Sequence, residues 1–132
     1  MVVDASVIAP ALADDGPDGD RVCERLRGEH LIAPELLDLE VVSVIRKALL
    51  VGNIAERKAL LAIKDLVDIP IKRVSHRSLL PRVWEVHQYI TTYDAVYIAL
   101  AEALNVALAT ADARPAKAPQ LQCVVEYLGC LD

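Results

Sequence analysis

The sequence predicts a single three-layer α/β domain with a mainly parallel central sheet flanked by helices. Short apolar segments of strand length alternate with helical segments along the 132 residues, and this alternation is typical of parallel sheets covered on both faces. The length suits one domain spanning residues 1–132. With 55% hydrophobic and 25% charged residues, the composition is that of a globular chain rather than a disordered one.

The first half of the chain predicts two buried strands and four helices. The strands are expected at 2–4 and 31–33, and the helices at 5–13, 18–28, 35–51 and 54–66. The clearest helix is 35–51, since it has Glu35 at its start, Lys47 in its last turns and Gly52 as its stop. These positions complement the helix dipole and the glycine C-cap.

The second half continues the alternation. Strands are expected at 69–74, 106–110 and 121–125, and helices at 77–89 and 92–105. Trp84 and Tyr89 are expected in the core or in a dimer contact. Because ligands of open parallel sheets bind beyond the carboxyl ends of the strands, we expect the functional residues there.

Composition and motifs exclude several classes of protein. A net charge of −5 argues against non-specific nucleic-acid binding through a basic patch. The absence of a GxxxxGK[ST], GxGxxG or GxSxG motif excludes P-loop nucleotide hydrolysis and a serine nucleophile elbow. The three cysteines contain no CxxC pair, so we expect reduced core residues rather than a zinc site or a disulfide framework: Cys23, Cys123 and Cys130.

The sequence contains no segment that suits a membrane. Every stretch without a charged residue is far shorter than the about 20 apolar residues that a spanning helix needs. The first residues lack the features of a signal peptide, so we expect a cytoplasmic protein. A mean hydropathy of +0.34 is high for a small domain and suggests apolar surface that a partner buries.

Two acidic residues follow predicted strands. Asp4 ends the first strand, and Asp112 lies just past strand 106–110. If these strands are parallel, both carboxylates face one crevice. The alternative for each is a structural cap, Asp4 for the helix that starts at Ala5 and Asp112 for a turn that starts at Ala113.

Two further acids lie on helices. Glu40 has Leu36 and Val44 on its own helix face, so its carboxylate is expected to be partly desolvated unless it turns outward or pairs with Lys47. Asp94 opens helix 92–105 among apolar neighbours, although an acid in a first turn after Thr also resembles a capping box.

Together the four acids predict a metal site. Carboxylates that converge in one pocket repel one another unless a cation lies among them. Mg²⁺ and Mn²⁺ prefer carboxylate and water oxygens, whereas the chain lacks the ligand spacing of a zinc site. Such ions activate water, hold a phosphodiester and stabilise the leaving oxygen. His30, His76 and His87 are too far apart in sequence to suggest ligands.

Four segments resemble, in order, the motifs of PIN-domain proteins. They are VVDASV at 2–7, PELLDLEV at 34–41, YDAVYIALA at 93–101, which is the most specific, and LATADAR at 108–114. Short members of this family are mostly VapC-type toxins of bacterial type II toxin–antitoxin systems. The resemblance covers essentially the whole chain.

The resemblance implies a Mg²⁺- or Mn²⁺-dependent endoribonuclease that acts on RNA, forms a homodimer and is inhibited by a VapB-type antitoxin. It also implies that the acidic quartet holds the metal and carries catalysis: Asp4, Glu40, Asp94 and Asp112. Ser6 and Thr110 match hydroxyl positions that support the site. Pro115 departs from the family pattern, in which an aromatic or apolar residue often lies three positions after the fourth acid, and it puts the loop at Asp112 in question.

Several basic residues are candidates for contacts with RNA phosphates: Arg46, Lys47, Arg73, Arg77, Arg82, Arg114 and Lys117. Because the chain has few aromatic residues, we expect recognition through RNA shape, backbone and metal rather than base stacking. The second hypothesis is a PIN-like binding module with little catalysis that acts through a protein partner. A phosphotransfer receiver domain is disfavoured, since no Lys follows the last predicted strand.

Overall fold

The computed structural model describes residues 1–115, 119 and 121–129. Its five strands are β1 (Val2–Val3), β2 (Leu31–Pro34), β3 (Ile71–Val74), β4 (Leu108–Thr110) and β5 (Val125–Tyr127). Its α-helices are α1 (Ala5–Ala13), α2 (Pro17–Leu26), α3 (Leu36–Leu50), α4 (Glu56–Asp68), α5 (Leu80–Glu85) and α6 (Thr92–Leu104), with a short 3₁₀ helix at Arg77–Leu79. These elements confirm the predicted α/β class.

The strands form one sheet in the order β3-β2-β1-β4-β5, and every pairing in it is parallel. The first strand of the sequence is therefore the central strand of the sheet. The chain builds one half of the sheet through β2 and β3, and then returns to the other side of β1 with β4. The strand order thus reverses between β1 and β4, which is the place where α/β sheets open a crevice for ligands.

Helix packing follows the spacing of apolar residues. Helix α3 buries Leu37, Val41 and Ile45, which recur every four residues and form one face. Helix α6 instead buries every residue from 95 to 101, because it packs against β1, β2, β4 and α5. Helix α1 packs against α2, α3 and α4. The packed faces hold α3 and α6 beside the crevice.

Several predicted boundaries were wrong by a few residues. Strand β3 starts at Ile71 rather than at residue 69, since the preceding Pro70 has no N–H for the ladder. The last strand is Val125–Tyr127 rather than 121–125, and its pairing with β4 begins at the Val124 carbonyl. The apolar residues Leu121, Cys123 and Val124 suggested a strand in a segment that lies outside it.

Other expectations concern individual side chains. Trp84 is 70% exposed and Tyr89 is also exposed, so neither is a core residue. Cys23 is exposed and Cys123 is half-buried, which contradicts the prediction of buried cysteines, while Cys130 lies outside the described residues. Helix α5 ends at Glu85 rather than near residue 89, because turns follow it. Within the described part of the chain, no helix is long and apolar enough to cross a membrane.

Candidate metal centre

A cleft of about 370 Å³ contains all four predicted acids. It opens at the carboxyl ends of β1 and β4, where the strand order reverses. The walls come from the starts of α1 and α6, from the middle of α3 and from the loop after β4. Besides the acids, the lining side chains include Ser6, Ser43, Lys47, Tyr97 and Arg114.

Sheet register places the two strand-end acids side by side. Val2 pairs with Leu108 and Val3 with Ala109, so Asp4 lies level with Thr110, two residues before Asp112. Asp4 also caps α1, because its carboxylate accepts a hydrogen bond from the Ser6 N–H at 3.1 Å. The structure therefore shows that the cap alternative for Asp4 and its place in the cleft are compatible.

A chain of hydroxyl groups joins the two strand ends. The Ser6 hydroxyl donates to Asp4 Oδ1 at 2.5 Å and accepts from the Ala111 N–H at 2.8 Å. Thr110 Oγ1 lies 3.2 Å from Ser6 Oγ and accepts from the Asp112 N–H at 3.0 Å. The Thr110 hydroxyl also lies 3.5 Å from the Asp112 carbonyl, to which it can donate. The chain fixes the backbones of Asp4 and Asp112 relative to each other.

Asp112 is paired with Arg114. The Arg114 guanidinium contacts both carboxylate oxygens, with Nη2 at 2.5 Å from Oδ2, and its backbone N–H donates to Oδ1 at 2.9 Å. The hydrogen bonds from the Arg114 guanidinium hold the pKa of the Asp112 carboxyl below its usual value. Pro115, the residue that departs from the family pattern, is fully buried, and Asp112 still lines the cleft.

The two helix acids, Glu40 on α3 and Asp94 on α6, both line the cleft. The Tyr97 hydroxyl of α6 donates to Glu40 Oε1 of α3 at 2.5 Å, and no ion pair joins Glu40 to Lys47 within the described chain. The Thr91 hydroxyl accepts from the Asp94 N–H at 3.2 Å, so the capping role concerns the Asp94 backbone and leaves its carboxylate for the cleft.

Electrostatics in the cleft favour a bound cation. Burial raises the pKa of Asp4, which is 8% exposed, and burial together with the charges of Asp94 and Asp4 raises the pKa of Glu40. Within the described residues, none of the ion pairs includes Asp4, Glu40 or Asp94. The charge of Arg114 acts on Asp94, but none of the three carboxylates is neutralised by an ion pair, so they repel one another in one partly desolvated cleft.

The donor set fits a hard divalent cation. No group of three or more Asp, Glu, His or Cys side chains in the described segments is arranged to hold an ion directly. Mg²⁺ usually keeps several waters and binds one or two protein carboxylates, so a shared cleft with oxygen donors suffices. The chemistry of the donors is oxygen alone, which suits Mg²⁺ or Mn²⁺ rather than zinc.

Glu40→Gln is expected to raise the melting temperature of the metal-free protein at pH 7 by about 3 °C. The amide oxygen of glutamine still accepts a hydrogen bond from Tyr97, but the substitution removes the negative charge of Glu40. The raised pKa of Glu40 means that this charge destabilises the folded state. That penalty is fully present above the raised pKa and vanishes as the pH falls below the ordinary value of 4.5, where both the folded and the unfolded chain bind the proton.

Thermal unfolding followed by circular dichroism, at pH 7 and again at acidic pH, measures this gain. Glu56→Gln is the matched control, because Glu56 is exposed in the first turn of α4 and its removal is expected to be neutral or slightly destabilising. A melting temperature of Glu40→Gln equal to or below that of the wild type at pH 7 contradicts the argument.

Some lining residues were not predicted as parts of the site. Tyr97 lies one turn after Asp94 and five residues before Glu102, and nothing in its local pattern distinguishes it from a core residue. The spacing of three between Asp94 and Tyr97 is the available signal, since it places both on one face of α6. Ser43 likewise follows Glu40 by three on α3 and lines the cleft with it.

The basic residues that were candidates for RNA contacts lie in different surroundings, some paired within the fold and others at the cleft or outside it. Arg73 donates to Asp38 and to the Leu66, Ile69 and Ile71 carbonyls, and Arg82 pairs with Glu102 at 2.7 Å, so both serve the fold. Lys47 and Arg114 line the cleft. Arg46 and Arg77 are exposed outside its lining, and Lys117 lies outside the described residues.

Comparisons with known proteins agree with this architecture. A PIN domain model matches residues 1–121. Ribonuclease VapC1 of Mycobacterium tuberculosis H37Rv is 38% identical over 96% of this chain and 96% of its own length. Ribonuclease VapC9 of the same strain is 34% identical over 95% of each chain.

Two solved structures share the fold at low sequence identity. Mycobacterium tuberculosis VapC20, a Sarcin-Ricin loop cleaving toxin, matches with a TM-score of 0.66 and 12% identity over 87% of this chain and 92% of that one. VapBC2 from Rickettsia felis, bound to a DNA fragment from its promoter, matches with a TM-score of 0.60 and 13% identity over 96% of each chain. The family model and the full-length relatives show that this chain belongs to the PIN-domain family and, within it, to the VapC-type toxins.

Proposed function

We propose that the chain is a Mg²⁺- or Mn²⁺-dependent endoribonuclease that cleaves RNA phosphodiester bonds and is neutralised by a cognate VapB-type antitoxin. The observation that carries this proposal is the cleft at the strand-order reversal, where Asp4, Glu40 and Asp94 meet and none of them forms an ion pair among the described residues. The names of the similar full-length proteins, which are ribonucleases, support the same activity.

Asp4, Glu40 and Asp94 would hold the cation, in part through the waters that it keeps, and Asp112 would join them once its oxygens are free. When bound, a divalent cation activates water, orients the scissile phosphate and stabilises the leaving oxygen. The residues of the chain supply the arrangement for this chemistry. Ser6 and Thr110 orient Asp4, and Tyr97 orients Glu40 through its hydroxyl group.

Lys47 is the candidate for holding the RNA backbone. It lies on α3 at the rim of the acidic cleft, two turns after Glu40, and no ion pair involves it within the described residues. An ammonium group there offsets the repulsion between the acids and an incoming phosphate. The net charge of −5 thus overstates the repulsion at the site itself.

Exposed apolar surface supports the partner proposals. One patch lies on α3 and α4 and suits the antitoxin: Val42, Leu49, Leu50, Leu60 and Leu61. A second surrounds α5 and suits a homodimer contact: Leu80, Trp84 and Tyr89. The high mean hydropathy of the chain agrees with exposed apolar side chains of this kind. The cytoplasmic location stays a prediction.

Asp94→Asn is expected to lower metal-dependent RNA cleavage by more than about 100-fold, because it removes one of the three unpaired carboxylates. The measurement is cleavage of total RNA by the purified protein in Mg²⁺ or Mn²⁺, with EDTA as the metal-removal control. Growth arrest on expression is the second readout, and it should be lost with cleavage.

Asp65→Asn is the matched control, since Asp65 is an exposed acid on α4 and does not line the cleft. Cleavage and growth arrest should be unchanged in this variant. Discrete products that persist in EDTA, or in folded Asp94→Asn protein, would show that the acidic cleft is not the source of the activity.

A second candidate function is a catalytically weak PIN-like module that acts through its protein partner. It is favoured by one observation, the pairing of Asp112 with Arg114, which leaves the fourth acid without a free oxygen. Under this alternative, the folded wild-type chain forms a stable complex with the co-encoded antitoxin but neither binds Mn²⁺ nor cleaves RNA. Mn²⁺ binding by the isolated protein therefore separates the two functions.

A further inference from the structure

The Asp112–Arg114 pair differs from every other contact in the cleft. Arg114 Nε lies 3.0 Å from Oδ1 and 2.9 Å from Oδ2, Nη2 lies 2.5 Å from Oδ2, and the Arg114 backbone N–H occupies Oδ1 as well. Both oxygens of the carboxylate are engaged by this one residue. Asp112 cannot bind a cation directly while the guanidinium stays in place.

The guanidinium is free to leave without disturbing the fold. The Arg114 side chain is 78% exposed, its guanidinium donates to Asp112 among the described residues, and the charge of Asp94 also acts on it. The backbone beside it is fixed, because Pro115 is fully buried and the Asp112 N–H is held by Thr110. The exposed guanidinium of Arg114 is therefore attached to a backbone segment that is held in place at the rim of the cleft.

The charges in the cleft offer the Arg114 guanidinium a second partner, a phosphate of RNA. A divalent cation drawn to Asp4, Glu40 and Asp94 competes with Arg114 for the Asp112 carboxylate. The RNA backbone brings phosphate oxygens to the same rim, and a guanidinium binds phosphate in the same bidentate manner as carboxylate. Exchange of Asp112 for phosphate thus keeps the guanidinium paired at each stage.

We propose that Arg114 is an exchangeable cation: it neutralises Asp112 in the metal-free protein and moves to a phosphate of bound RNA when a divalent cation takes the carboxylate. Arg114 is then a phosphate-binding residue that also sets the affinity of the metal site. This inference rests on the proposed function, since it requires both a metal and an RNA at the cleft.

Arg114→Ala tests the exchange through two effects of opposite sign. Mn²⁺ affinity, measured by electron paramagnetic resonance without RNA, should rise about two- to fivefold, because an exposed competing ion pair has been removed. The KM for RNA should rise about tenfold, with a smaller change in kcat, because a charge-assisted contact to phosphate is lost in both the bound and the reacting state.

Arg114→Lys and Arg57→Ala complete the design. Lysine keeps the positive charge but lacks the planar guanidinium, so the KM of Arg114→Lys should lie between those of the wild type and Arg114→Ala. Arg57 is an exposed arginine on α4 outside the cleft, and its replacement should change neither Mn²⁺ affinity nor KM. Circular dichroism should show that all three variants are folded.

Other outcomes overturn the exchange. Weaker or unchanged Mn²⁺ binding in Arg114→Ala means that Arg114 does not compete with the metal. Tighter Mn²⁺ binding with an unchanged KM means that the released guanidinium does not reach RNA. Both results are distinct from failure of the proposed function, which appears as unaltered Mn²⁺ binding and cleavage in Asp94→Asn.

Discussion

Asp4→Asn is expected to lower RNA cleavage by more than about 100-fold while the protein stays folded. Asp4 has two roles, as the N-cap of α1 and as a carboxylate in the cleft. Asparagine is as good an N-cap as aspartate, so the helix keeps its cap and the site loses its charge. The substitution therefore isolates the metal-binding role of Asp4 from its structural role.

Cleavage rates at saturating Mn²⁺ and melting temperatures without metal are the two measurements. The melting temperature should rise slightly or stay constant, because the Asp4 carboxylate has a raised pKa and its charge opposes folding. Asp4→Ala is the comparison, and it should also lose about 1 kcal/mol of stability through the missing cap. Near-normal cleavage by Asp4→Asn would leave Asp4 with the capping role alone.

Arg73→Met is expected to lower the free energy of unfolding by about 3 kcal/mol without affecting the chemistry of the cleft. The Arg73 side chain is 21% exposed and satisfies three backbone carbonyls, those of Leu66, Ile69 and Ile71, as well as Asp38. Methionine replaces the aliphatic part of the side chain but removes the guanidinium donors, and the Ile69 carbonyl keeps only the bond from the Ile71 N–H. The connection from α4 to β3 should lose stability first.

Urea unfolding gives the free energy, and hydrogen exchange at Ile71, whose N–H donates to the Ile69 carbonyl, reports on the connection from α4 to β3. Lys72→Met is the control, because Lys72 lies on the same strand but is exposed, and it should change stability by less than about 0.5 kcal/mol. A small effect of Arg73→Met, or a loss of cleavage without a loss of stability, would return Arg73 to the group of RNA contacts.

Much of the fold could be predicted from the sequence because its strands and helices differ in length and pattern. Helix α3 was expected at 35–51 and is Leu36–Leu50, since a strong apolar face and Gly52 define its end. The last strand was misplaced, because its bounds depend on where β4 pairs rather than on its own residues. The position of β1 at the centre of the sheet is likewise set by distant partners.

The candidate site followed the same division. The strand-end acids could be predicted to lie together, because parallel strands share a carboxyl edge, and the structure places Asp4 and Asp112 there. Glu40 and Asp94 were suggested by charge on apolar helix faces. The pairings of Tyr97 with Glu40 and of Arg73 with Asp38 could not be predicted, because they join residues 57 and 35 positions apart.

The hydroxyl chain between β1 and β4 also bears on synthesis of the protein. Ser6 and Thr110 are 104 residues apart, yet their contact joins the two strand ends that carry Asp4 and Asp112. A nascent chain that has not yet left the ribosome beyond β4 lacks one pairing edge of its central strand as well as the fourth acid. The order of translation thus delays assembly of the cleft until β4 and the loop that follows it have been synthesised.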